Sequence, residues 1–83
     1  MINLSTRVLR ALIALDELRL FSLAAELCNV TQSAFSQMIA KLEAEVGLRL
    51  VDRDRRRVSL TGDGERLVAS ARRMVAQLDE IGA

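Results

Sequence analysis

The sequence predicts a mostly α-helical chain with the architecture of a winged helix-turn-helix: three helices, a small two-stranded wing and then a long helix. Apolar residues recur at helical spacing over most of the 83 residues. One segment, at about residues 50–60, instead alternates apolar residues with arginines, as short paired strands do. The chain has no proline, so its four glycines are the only strong backbone breaks, and they separate these segments.

The first two helices are predicted from periodicity and capping residues. The first runs from about Ser5 to Leu18, where leucine and valine recur every three or four residues. The second is short, from Leu23 to Cys28, and we expect the Ser22 hydroxyl to cap its first turn. A pair of alanines within it permits close approach of another helix.

The third helix is predicted from Gln32 to Val46, after a turn at Asn29-Val30 and with Thr31 as its N-cap. One side is apolar and predicts a buried face, formed by Phe35, Met38, Ile39, Leu42 and Val46. The opposite stripe is small and uncharged, formed by Ser33, Ser36, Gln37, Ala40 and Ala44. Short hydroxyl and amide side chains suit a helix that reads base edges in a DNA groove. An ordinary polar surface is the alternative interpretation.

A wing is predicted after Gly47, which suits the left-handed backbone at a helix end. The apolar residues of the wing are Leu48, Leu50, Val51, Val58 and Leu60, with residues 54–56 at its tip. Residues 49–57 contain five arginines and two aspartates, a local charge of +3 in a chain whose net charge is +1. This concentration favours contact with phosphates, and a solvated charged surface explains it equally well from composition alone.

The last segment, from Thr61 onward, predicts a helix that pairs with a second copy of the chain. Its apolar residues are spaced 4, 3, 4, 3, which is a heptad seam: Leu67, Ala71, Met74, Leu78 and Ile81. Near its start the seam should also contact the chain's own core, and burial of the whole seam in that core is the alternative. A chain this short buries little core, which also favours a homodimer.

Composition argues against catalysis. The chain has no histidine and a single cysteine, which removes most metal sites, the usual Ser-His and Cys-His nucleophiles and any internal disulfide. We therefore expect no enzyme activity, metal or cofactor, and no apolar run is long enough to indicate a membrane partner. We expect a cytoplasmic, nucleoid-associated protein. Cys28 is interpreted as a small buried hydrophobe rather than a redox-sensing thiol.

Many of these residues together closely resemble the signature of LysR-type bacterial transcription regulators. The match comprises Phe21-Ser22-Leu23-Ala24-Ala25-Glu26, Val30-Thr31-Gln32-Ser33-Ala34-Phe35-Ser36, Ile39, Lys41-Leu42-Glu43, Gly47 and Leu50, extended by Arg53, Arg57, Leu60-Thr61 and Gly64. Four positions depart from the family pattern: Arg19-Leu20 replaces Gly-Ser, Gln37 replaces a frequent Arg, and Val51 replaces Phe.

The resemblance implies a sequence-specific transcription factor that binds an inverted-repeat site in double-stranded DNA. The implied winged helix-turn-helix domain covers residues 1–60, with the helix-turn-helix unit at about 21–40 and the wing at about 50–60. Residues 61–83 would begin a linker helix that pairs in a dimer, and the intact family members commonly assemble into tetramers. The effector-binding domain would be absent, so we expect a fragment without inducer response, and any small-molecule inducer would bind that missing domain.

The resemblance also implies individual roles. The groove-reading residues would be Thr31, Gln32, Ser33, Ser36 and Gln37, the backbone contacts Ser22 and Lys41, and the wing arginines Arg53, Arg55, Arg56 and Arg57. Glutamine at position 37 would shift the preferred base, because Gln pairs with adenine whereas Arg pairs with guanine. The alternative function is a helical protein-protein interaction module that does not bind DNA.

Overall fold

The computed structural model describes residues 5–53 and 57–82. In chain order the elements are α1 (Thr6–Leu18), α2 (Phe21–Leu27), α3 (Gln32–Val46), β1 (Val51–Asp52), β2 (Ser59–Leu60) and α4 (Gly62–Gly82). The two strands are antiparallel, with Val51 opposite Leu60 and Asp52 opposite Ser59. The predicted winged helix-turn-helix followed by a long helix is confirmed. No helix in the described ranges is both long enough and apolar enough to cross a membrane.

Local capping fixes the start of α1 and both ends of α3, and the caps of α3 are those that the sequence predicted. The Ser5 hydroxyl accepts a hydrogen bond from the Val8 amide at 3.2 Å, which starts α1. The Thr31 hydroxyl accepts one from the Ala34 amide at 3.0 Å, which starts α3. Gly47 ends α3 with φ of 71°, a left-handed conformation that glycine adopts without a steric penalty.

The start of α2 differs from the prediction. The helix begins at Phe21, its N-cap is Leu20 without a side-chain hydrogen bond, and Ser22 lies inside the first turn. The predicted Ser22 cap is therefore wrong. The earlier start lets the Phe21 ring pack edge-on against Phe35, with centroids 5.7 Å apart. Burying an aromatic side chain contributes about 1.5–3 kcal/mol, whereas a serine cap contributes about 1 kcal/mol, so packing decides the boundary.

The turn between α1 and α2 forms around Arg19, at the position where the family pattern has glycine. Arg19 takes a left-handed conformation with φ of 60°, which costs a non-glycine residue about 1–2 kcal/mol. Its side chain offsets part of that cost, because Nε donates to the Asp16 carbonyl oxygen at 2.6 Å and Nη2 donates to Asp16 Oδ1 at 2.9 Å. The turn therefore forms without glycine.

The main core lies between α1, α2, α3 and the base of the wing. Its largest fully buried side chains are Phe35, Leu12, Leu15, Ile39, Leu50 and Val51. The predicted apolar face of α3 points into this core. Ala24 and Ala25 are buried on α2, and their small side chains allow the close helix contact that the sequence predicted.

The first half of α4 packs along α1 and forms a second, smaller core. Ala71 is completely buried there with Leu9 and Val75, and Ile13 packs against them. The expectation that Ala71 contacts a partner chain is therefore wrong, because α1 of the same chain already covers it. Leu67 is half-buried against the main core.

Ion pairs continue the contact between α4 and α1. Arg72 Nη2 lies 2.9 Å from Asp16 Oδ2, and Arg10 Nη2 lies 2.7 Å from Asp79 Oδ1. Three residues of the predicted seam remain exposed at the far end of α4: Met74 at 37%, Leu78 at 47% and Ile81 at 83%. We call these three residues the free α4 stripe.

Candidate nucleic-acid interface

The exposed face of α3 carries the predicted groove-reading residues. Gln32, Ser33 and Gln37 are exposed, and Ser36 is half-buried beside them. None of these four side chains forms a hydrogen bond within the described part of the chain. Their donors and acceptors are therefore directed to solvent, where they can bond to base edges or phosphates.

Thr31 and Lys41 flank this face at its two ends. The Thr31 oxygen accepts the capping hydrogen bond from Ala34, and the hydroxyl proton remains available to an outside acceptor. Lys41 is exposed and forms no ion pair within residues 5–53 and 57–82. It lines a groove between α3 and the start of α1, together with Gln37 and Arg7. The groove thus brings two positive side chains next to a predicted base-reading residue.

The wing is fastened to the helical core by hydrogen bonds on both of its sides. Glu43 Oε2 on α3 accepts from the Leu50 amide at 2.8 Å and from the Val51 amide at 3.2 Å. The Val58 amide on the returning side donates to the Arg19 carbonyl oxygen at 3.0 Å. These bonds fix the base of the wing relative to α3, so an arginine at that base has a defined position.

Thr61 joins the wing to α4. Its amide donates to the Leu50 carbonyl oxygen at 3.0 Å, and its hydroxyl donates to the Arg49 carbonyl oxygen at 2.6 Å. The same hydroxyl oxygen accepts from the Gly64 amide at 3.0 Å, so Thr61 also caps α4. One side chain therefore holds the end of the wing and starts the next helix.

Arg53 lies at the base of the wing in contact with two helices. Its guanidinium carbon is 5.0 Å from the centre of the Phe21 ring on α2, within the range of a cation-π interaction. Its Nη2 is 3.6 Å from Glu43 Oε1 on α3, and the Arg53 side chain is 42% exposed. Arg57 is exposed on the other side of the wing. The predicted wing arginines Arg55 and Arg56 lie outside the described residues.

The structure changes the role of Ser22 and adds a further residue, Glu43. Ser22 is exposed on the first turn of α2, but as a residue within the helix rather than as its cap. Glu43 received no role from the sequence, although its two amide partners make it central to the wing. Those partners are seven and eight residues further on, beyond the end of α3, and no local pattern marks such a contact.

Cys28 was predicted to be a small buried hydrophobe, and the structure shows it less buried than that. It is half-buried and packs against the main core. Burial raises the pKa of the Cys28 thiol above its ordinary value, and the positive charge of Arg7 opposes part of that rise. The thiol is therefore protonated at neutral pH and a poor nucleophile. The described residues contain no group of three or more side chains able to hold a metal ion.

Comparison with known protein families shows which family the chain belongs to. The model of the bacterial regulatory helix-turn-helix proteins of the lysR family matches residues 6–65, from the start of α1 into α4. The chain belongs to the LysR family. The matched range contains every predicted DNA-contacting residue of this LysR-family chain and none of its predicted dimerisation residues.

Curated relatives agree with this assignment. The chain is 45% identical over 75 residues to a probable hydrogen peroxide-inducible genes activator of Mycobacterium avium. The aligned residues cover 90% of this chain and 24% of the relative. The chain thus spans about a quarter of the length of that relative. The family consists of transcription regulators.

Solved structures share the fold. The DarR protein of Vibrio fischeri in complex with DNA superimposes with a TM-score of 0.89 at 41% identity, covering 94% of this chain and 27% of DarR. The complex of the CbnR DNA-binding domain with DNA has a TM-score of 0.89 at 29% identity, covering 95% of this chain and 91% of that domain. Both similar proteins were solved with DNA bound.

Proposed function

We propose that this chain binds double-stranded DNA sequence-specifically as the DNA-binding domain of a bacterial LysR-type transcription regulator. The observation that carries the proposal is the exposed face of α3, where uncharged hydroxyl and amide groups lack partners among the described residues. In this proposal α3 enters the major groove, with Gln32, Ser33, Ser36 and Gln37 at base edges, Thr31 beside them and Lys41 at the backbone.

The wing supplies the second contact. Arg53 lies beside α3 through its ion pair with Glu43, so a duplex seated on α3 also meets the base of the wing. Arginine there neutralises phosphates or enters a narrow minor groove. We assign the same role to Arg55, Arg56 and Arg57, and a backbone contact to Ser22. The DNA complexes of DarR and CbnR support the proposal, and nothing among the relatives supports a protein-binding module without DNA.

We further propose that two copies pair through α4 and bind an inverted repeat. The free α4 stripe supports this pairing, because three large apolar side chains are exposed there at helical spacing. In the intact protein, such dimers would assemble into a tetramer and a separate domain would bind the inducer. We assign this chain no cofactor and no enzymatic activity, and place it in the cytoplasm at the nucleoid.

The first expected result concerns the wing. Replacing Arg53 and Arg56 by Ala should weaken binding to every DNA sequence, because each arginine neutralises about one phosphate. The slope of log affinity against log salt should fall in magnitude by about 0.9 for each lost phosphate contact. Fluorescence anisotropy with a labelled duplex at four or more salt concentrations measures both quantities.

The control is Arg73→Ala, which removes one positive charge from the exposed side of α4, against two removed from the wing. It should leave the slope unchanged, because Arg73 is not among the residues proposed to contact DNA and bonds to Ser70 on its own helix. Equal slopes for the wing variant and the parent chain would rule out a phosphate contact by the wing arginines.

The second expected result concerns pairing. Met74→Asp combined with Leu78→Asp should abolish dimers of the chain, because it places two charges in the free α4 stripe, where a partner helix would desolvate them. About two helical turns form the contact, so the parent dimer should be weak and concentration-dependent. Sedimentation velocity over a concentration series measures the association.

The control for pairing is Ala69→Asp with Ala76→Asp. It adds the same two charges to exposed positions of α4 that lie away from the free α4 stripe. The control should sediment like the parent chain. If the Met74 and Leu78 variant does so as well, α4 does not carry the pairing.

A further inference from the structure

Glu43 on α3 contacts both the wing backbone and a wing arginine. Its Oε2 accepts hydrogen bonds from two successive amides, those of Leu50 and Val51, and its Oε1 lies 3.6 Å from Arg53 Nη2. The Glu43 side chain is only 19% exposed, which strengthens these interactions relative to a fully solvated pair. A single carboxylate therefore sets both where the wing begins and where its first arginine lies.

The opposite side of Arg53 is held by an aromatic ring. The Phe21 ring lies 5.0 Å from the guanidinium carbon, and Phe35 on α3 supports that ring edge-on. Arg53 is thus held between the carboxylate from α3 and the ring from α2, and it still exposes 42% of its side chain. Such a site orients the arginine, and it also cancels part of the positive charge that would attract any DNA backbone.

We propose that Glu43 is a specificity-determining positioning residue that restrains and partly neutralises Arg53. The inference depends on the proposed DNA contact of Arg53. When α3 is seated on its preferred bases, the preformed wing places Arg53 against the duplex without further ordering. On unrelated DNA α3 is not seated, and the Glu43 carboxylate competes with phosphate for the guanidinium. Glu43 thereby lowers attraction to unrelated DNA more than it lowers binding to the preferred site.

Glu43→Gln tests whether the Glu43 carboxylate competes with phosphate for the Arg53 guanidinium. The glutamine carbonyl oxygen can still accept both wing amides, since it has two lone pairs, but the negative charge beside Arg53 is lost. Two probes are needed: a duplex selected by the parent chain from a random pool, and a scrambled duplex of the same length and base composition. We expect affinity for the scrambled duplex to rise about two- to fivefold, the range expected from releasing a half-exposed ion pair.

The salt dependence provides a readout that a merely structural role would not change. The released arginine can neutralise its phosphate more completely, so the slope for the scrambled duplex should steepen by up to about 0.9. Affinity for the selected duplex should rise less, and the ratio of the two affinities should fall at least twofold. Glu80→Gln is the control, because it also removes one negative charge, but near the end of α4. It should leave the ratio of the two affinities and both salt slopes unchanged.

A double-mutant cycle separates this inference from the proposed function. In the Arg53→Gln background, Glu43→Gln should no longer alter slope or ratio, because the restrained charge is gone. If Arg53→Gln alone leaves DNA binding unchanged, the proposed wing contact is wrong. If Arg53→Gln weakens binding but Glu43→Gln leaves ratio and slope as in the parent chain, the wing contact stands and the role of Glu43 is wrong.

Thermal denaturation would reveal whether Glu43→Gln folds. If it does not, Arg53→Lys gives an independent test. Lysine keeps the charge but lacks the planar group that stacks on Phe21 and faces the carboxylate. We expect the folded Arg53→Lys chain to keep its affinity for the scrambled duplex and to lose at least half of its preference for the selected one. An unchanged preference would overturn the inference.

Discussion

Gly64→Ala should destabilise the chain severely, by about 3 kcal/mol, through steric overlap with the wing. A Cβ atom at position 64 would lie 2.1 Å from the Leu50 carbonyl oxygen and 3.0 Å from its carbonyl carbon. Leu50 cannot move away easily, because its amide bonds to Glu43 and its carbonyl oxygen accepts from Thr61. For a domain of this size, the loss corresponds to a melting temperature lower by about 12–24 °C.

Gly62→Ala is the matched control, two residues earlier in the same helix. A Cβ there would meet only the end of the Arg66 side chain at 3.7 Å, which is ordinary contact. Its free energy of unfolding should remain within about 0.5 kcal/mol of the parent value. Thermal and urea denaturation followed by circular dichroism compare the variants. Similar melting temperatures for the two variants would contradict the close approach of α4 to the wing.

The second large effect is expected in DNA sequence preference. Gln37→Arg should change the preferred base at one position of each half-site by about 1–3 kcal/mol if the contact is bidentate, since Gln pairs with adenine and Arg with guanine. Lys41→Ala should instead weaken binding to all sequences by a similar factor, because a phosphate contact carries no base information. A panel of single-base variants of the selected duplex, titrated with each protein, measures both profiles.

Ala44→Arg controls for added positive charge on α3. Ala44 is exposed on the same stripe, two turns beyond Gln37, so the variant carries the same net charge as Gln37→Arg. It should strengthen binding uniformly and leave the base preference as in the parent chain. A base-preference profile unaltered by Gln37→Arg, or one reshaped by Lys41→Ala, would mean that another face of α3 meets the bases.

The wing explains why stability and recognition should be linked in this domain. Its base is fixed by Glu43 from α3, by the Arg19 carbonyl oxygen from the α1–α2 turn and by Thr61 ahead of α4. The overlap in Gly64→Ala would displace this base from α4, and with it the position of Arg53 relative to α3. We therefore expect folded Gly64→Ala molecules to lose preference for the selected duplex as well as stability.

The amino-acid sequence by itself determined the parts of the structure that depend on near neighbours. The hydroxyls of Ser5 and Thr31 bond to amides three residues on, and Gly47 ends α3 through its own backbone freedom. Periodicity likewise identified the buried face of α3. The family signature supplied the predicted groove-reading residues, and the structure leaves Gln32, Ser33 and Gln37 exposed and Ser36 half-buried.

Only the tertiary structure decided the use of α4, because its sequence contains two apolar stripes at the same spacing. The predicted stripe runs from Leu67 to Ile81, and the buried stripe runs through Gly64, Val68, Ala71 and Val75. The two stripes share only Ala71. α1 is distant in the sequence and selects the second stripe, since Ala71 packs against Leu9 of α1. Gly64, on the same stripe, lets α4 approach Leu50 of the wing. Glu43 and Arg53 likewise meet only after α3 and the wing fold against each other, and sequence spacing carries no information about such a contact.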